Sequence, residues 1–138
     1  MNRPFVFTLF AVASFGAAAQ AMEPGSWELT TTITSPMMQK PQTATVTRCI
    51  KKEDLADPSR WMGGKPPGSD CSLTPGARDA RGATWEMACP SSGMKGSGRA
   101  RFTAGMMDSE MEMSGMAEGK KFELRTKTRG RRVGPCPS

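Results

Sequence analysis

Histidine and tyrosine are both absent from this 138-residue sequence, and aromatic residues make up only 7% of it. The first absence removes the commonest general base and metal ligand, and the second removes one common proton donor. No serine or threonine stands in a recognisable nucleophile motif such as Gly-x-Ser-x-Gly. There is no Cys-x-x-Cys pair either. Four cysteines separated by 22, 18 and 47 residues, with no histidine to assist them, do not describe a zinc site. Acid–base chemistry would fall to carboxylates alone, and the row Asp108, Glu110 and Glu112 reads more simply as the solvated side of a strand. The expectation is a protein that is not an enzyme and carries no cofactor.

Long apolar runs are also lacking, except at the start. Arg3 precedes an apolar stretch from Phe5 to Ala19, and Ala19-Gln20-Ala21 follows with small residues at the positions a signal peptidase reads. Residues 1–21 are therefore expected to be a signal peptide, cut near Ala21, with 22–138 as a single domain exported to the periplasm or secreted. No later segment is apolar and long enough to cross a bilayer as a helix. A small exported domain buries too little surface to be stable by packing alone, and disulfides are the usual supplement. Cys49, Cys71, Cys89 and Cys136 supply two structural bridges. Three pairings are open. Cys49 with Cys71 and Cys89 with Cys136 is preferred, because it ties off a long middle loop and anchors the carboxyl end. Cys71 with Cys89, across a predicted hairpin, is the rival.

Strand signals recur about every ten residues with turn residues between them, the pattern of an antiparallel all-β protein. Trp27, Leu29, Thr31 and Ile33 alternate with Glu28, Thr30 and Thr32. Ala44, Val46 and Ile50 alternate with Thr43, Thr45 and Thr47, with Arg48 interrupting the apolar face. Between them Ser35 to Pro41 breaks the chain. Residues 52–62 predict a short helical insert, with Asp57-Pro58 restarting a second turn. Leu73 and the run Trp85 to Cys89 flank a turn at Arg81-Gly82. Three more alternating strands contain Phe102, then Met107, Met111 and Met113, then Phe122 and Leu124.

Side chains repeat with a period of two along a strand, so pairing must match apolar with apolar. Setting Phe102 opposite Met107 leaves Thr103-Ala104-Gly105-Met106 as the link and sets Arg101 against Asp108 and Arg99 against Glu110. A link near Gly115 to Gly119 then brings Asp108 and Glu110 opposite members of the row Arg125, Lys127, Arg129. The expected fold is a single antiparallel meander curled into an open or half barrel, its acidic strand between two basic ones.

Several segments together resemble one family of exported bacterial proteins, domain of unknown function 3617. They are Glu23-Pro24-Gly25-Ser26-Trp27-Glu28-Leu29, Thr47-Arg48-Cys49 followed by Glu53-Asp54, Pro66-Pro67-Gly68-Ser69-Asp70-Cys71, Trp85 to Cys89-Pro90, and Gly130-Arg131-Arg132-Val133-Gly134-Pro135-Cys136. The resemblance runs over residues 23–136 and implies an uncharacterised β-rich periplasmic domain. It brings no catalytic residues with it.

Three patterns suggest binding. Arg125, Lys127, Arg129, Arg131 and Arg132 form a basic stripe suited to an anionic lipid or another envelope component. Nucleic acid is not expected, since export separates the two and no aromatic residues interleave with the charges. Met, Trp and Phe on the inner face of a curled sheet would accept an amphiphile, with the basic stripe as rim. The twelve methionines offer thioethers to Cu(I), with Met111, Met113 and Met116 as the candidate ligands, although core filling accounts for methionine equally well. A purely structural envelope module is the third reading.

Overall fold

The computed structural model describes residues 22–56 and 70–138. The expected signal peptide, the second helical turn after Asp57 and Trp61 lie outside the described residues. Among the described residues, seven strands and one helix follow in order: β1 (Gly25–Thr34), β2 (Gln42–Ile50), α1 (Lys52–Ala56), β3 (Ser72–Asp79), β4 (Gly82–Cys89), β5 (Met94–Phe102), β6 (Met106–Ala117) and β7 (Lys120–Gly134).

All seven strands form one antiparallel sheet in the order β2-β1-β7-β6-β5-β4-β3. Strands β3 to β7 are the expected meander. β1 then slots in beside β7, which places the first hairpin at the far end from β3. The sheet is open, with β2 and β3 as its edges. It is nevertheless strongly curled. Laid flat, the six inter-strand steps at about 4.8 Å each would hold β2 and β3 roughly 29 Å apart. Yet α1 starts two residues after β2 ends, is only ~7.5 Å long at 1.5 Å per residue, and is grasped by Arg78 of β3. Arg78 donates from Nη1 to the Ala56 carbonyl at 2.8 Å and from Nη2 to the Leu55 carbonyl. The two edges can share so short a helix only if the sheet curls, as in an open half barrel.

The register inferred from sequence holds across the centre. Phe102 stands opposite Met107, Arg101 opposite Asp108 and Arg99 opposite Glu110. Asp108, Glu110 and Glu112 stand opposite Arg129, Lys127 and Arg125. The β6–β7 link is tighter than expected, because β6 runs on through Gly115 to Ala117 and turns on Glu118-Gly119 alone, both with positive φ. The alternation sorts each strand into an inner apolar side and an outer polar side. Trp27, Leu29, Ile50 and Met107 gather at the α1 end, with Met22, Leu55 and Phe102 against them. Met87, Met113 and the Cys71 and Cys89 sulfurs gather at the other end, joined by Met94, Met111 and Leu124.

The preferred cysteine pairing is corrected. The bridges are Cys49 to Cys136 and Cys71 to Cys89. Cys71 precedes β3 at the level of Cys89, since Ser72 faces Ala88, so their bridge closes the β3–β4 hairpin at its open end. Cys49 faces Ser26, and Ser26 faces Gly134. Two residues beyond Gly134, Cys136 crosses the start of β1 to reach Cys49. That bridge ties three strands together where the expected one would have tied a loop.

Despite the apolar alternation of β2, every residue from Gln42 to Cys49 is exposed and only Ile50 is covered. An edge strand has one neighbour, and the core ends at β1.

Candidate functional site

The basic stripe is bonded, residue by residue, to acids on neighbouring strands. Arg129 Nε lies 3.1 Å from Asp108 Oδ1, and Arg131 Nε lies 2.9 Å from Glu28 Oε1. Arg125 pairs with Glu112. Lys127 Nζ sits 3.2 Å from Glu110 Oε1, while Arg99 Nη2 reaches the other carboxylate oxygen at 2.7 Å. Glu110 is thus held between β5 and β7. The hydrogen bond from Arg99, then that from Lys127, keeps its carboxyl below the ordinary carboxylate range.

Arg132 does not belong to this row. An even-numbered residue of β7, it points to the inner side, opposite Trp27, and donates from Nε to the Pro24 carbonyl at 2.9 Å. The five residues of the stripe therefore divide four to one between the two sides of the sheet. Of the ion pairs above, Glu28 with Arg131 and Glu112 with Arg125 were not named from sequence. The signal for the first was present, since Glu28 lies on the polar side of β1, but nothing local says that β1 lies beside β7.

The polar side also carries the grooves. One of them, about 890 Å³, runs over Thr74, Glu86, Ser97, Glu112 and Arg125 towards Pro36. It is an open trough between charged ridges.

The three copper candidates do not converge. Met113 is buried and Met111 half-buried on the inner side. Because β6 continues as a regular strand to Ala117, Met116 falls on the outer side opposite Lys121, 58% exposed. Thioethers on opposite sides of a sheet cannot share an ion, so this set is withdrawn. Among the described residues, no three acidic, cysteine or histidine side chains are grouped so as to hold a metal ion.

The inner side is unevenly covered. At the α1 end Trp27 is wholly buried and Met107 almost so. At the opposite end Met87 and Met113 are buried beside the Cys71 and Cys89 bridge, while Ile33, Met94, Met111, Phe122 and Leu124 around them are half-buried. Lys120, exposed, stands on the inner side at the lip beside Phe122, whereas Lys121 points to the outer side opposite Met116 and pairs with Glu123 at 3.1 Å. Sequence reasoning placed Ile33, Met111, Phe122 and Leu124 on an apolar strand face but gave Met94 no place, and the unevenness of cover came only with the position of α1. Among the described residues, no helix is long and apolar enough to cross a membrane.

The model of a family described as protein of unknown function (DUF3617) matches residues 22–136, a span that contains the whole sheet. No curated protein and no solved structure matches the chain.

Proposed function

The chain belongs to the DUF3617 family, and we propose that it is a non-enzymatic protein of the bacterial cell envelope that holds an anionic amphiphile at the half-buried end of its inner sheet face. The observation behind this reading is the gradient of burial just described. Ile33, Met94, Met111, Phe122 and Leu124 offer an apolar floor that water still reaches. Covering it with an acyl chain is worth about 0.8 kcal/mol per buried methylene. Lys120, on the inner side at the lip, suits a phosphate or carboxylate head group.

The charge pairs argue against catalysis. A general acid at neutral pH needs a carboxyl raised above its ordinary range, and Glu110 is lowered. Asp108 and Glu112 are likewise bound to arginines. Two disulfides suit an oxidising compartment, in keeping with the export signal read at residues 1–21.

Native mass spectrometry of protein purified from its own periplasm, followed by titration with an anionic lysophospholipid, tests the reading. One retained or saturably bound amphiphile is expected. Leu124→Glu should abolish binding and Arg131→Gln should leave it unchanged. If nothing is retained and nothing binds below the critical micelle concentration, the reading fails and a purely structural module takes its place.

A further inference from the structure

The two edges of the sheet are built differently. β3 carries Pro75, breaks register between Pro75 and Arg78, and commits Arg78 to α1. Proline, bulges and covered edges are the devices by which proteins deny an edge to other strands. Among the described residues, β2 has none of them. Its nine residues pair with β1 without a shift, from Gly25 opposite Ile50 to Ile33 opposite Gln42. The strand contains no proline, glycine or acid, and Arg48 is its only charge. It presents a row of backbone donors and acceptors, with Val46 49% exposed.

We propose that β2 pairs antiparallel with β2 of a second copy of this chain, about a two-fold axis through Thr45. Thr45 is the centre of the near-palindromic order Gln42-Thr43-Ala44-Thr45-Val46-Thr47-Arg48, which lies within the exposed run Gln42 to Cys49. Centred there, Thr45 faces its own copy, Ala44 faces Val46, Thr43 faces Thr47, and Gln42 faces Arg48. Apolar meets apolar, hydroxyl meets hydroxyl, and the one cation meets a neutral amide oxygen. The chain already uses this hydroxyl pairing within itself: Thr45 bonds Thr30 and Thr43 bonds Thr32, each at 3.0 Å. A two-fold axis perpendicular to the sheet also carries polar face onto polar face and apolar onto apolar, so both surfaces continue across the junction. An unrelated strand would match the edge hydrogen bonds but not this palindromic order of side chains.

Sedimentation equilibrium of the oxidised protein, from about 10 µM to about 1 mM, covers the range in which one strand pair should associate. A reversible monomer–dimer equilibrium is expected. Thr45→Lys and Thr45→Glu each place like charges on the axis and should weaken the dimer at least ~10-fold, while an equimolar mixture of the two should associate at least as well as the unmodified protein. The rescue also certifies that both variants fold. The proposal is overturned if the unmodified protein stays monomeric, if either variant dimerises undiminished, or if the mixture fails to associate.

Discussion

At the scale of single residues, the tightest fit lies where β4 and β5 cross under an indole. Trp85 lies flat over Gly98, and a methyl group added there would fall 2.2 to 2.5 Å from three indole atoms. Neither the backbone nor a buried ring can give way easily, so Gly98→Ala is expected to cost about 1–3 kcal/mol in chemical denaturation. Gly105 has open space around it, and Gly105→Ala provides the control. Glu110 makes a second test. Its carboxyl should titrate below the ordinary carboxylate value by NMR, and Arg99→Ala should move it back up. The stabilisation linked to Glu110 is present above the unfolded-state value and is lost as pH falls through the lower folded-state value. Met116 shows what residue-level reading missed. Met111, Met113 and Met116 look like one group in the sequence, but whether the third shares a side with the others depends on where the turn falls, and Gly115 suggested it too early.

At the scale of elements, the β5-β6-β7 ladder was legible because two independent codes agree there. Apolar alternation fixes which side faces inward, and Arg99, Glu110 and Lys127 then select the register among those the alternation permits. β2 had only the first code, and its Ala44 and Val46 promised a buried side that an edge strand does not have. The helix was legible as a short insert, but its partner was not, since Arg78 looks like any exposed strand arginine. Arg78→Ala removes both donors to the end of α1. Amide exchange at residues 52–56 should accelerate, with a loss of about 1 kcal/mol in global stability. Unchanged exchange would mean that β3 does not hold the helix.

At the scale of the whole molecule, the organising fact is that the first and last strands are neighbours. This adjacency was hidden in the sequence, where nothing marks β1 as the partner of β7, and the preferred cysteine pairing failed for the same reason. Local spacing favoured a bridge over the loop, whereas topology brings Cys49 and Cys136 together across 87 residues. A bridge closing so long a loop should stabilise by roughly 4–5 kcal/mol on the chain-entropy account, against about 3 for the 18-residue separation of Cys71 and Cys89. The inner face at the half-buried end and the open edge at β2 both follow from that arrangement, because the last strand shields one side of β1 and leaves β2 outermost. Mapping the disulfides of the oxidised protein by mass spectrometry of non-reduced peptides tests the arrangement directly. Peptides joining Cys49 to Cys136 and Cys71 to Cys89 are the predicted result, and a Cys49 to Cys71 linkage or free thiols would contradict it.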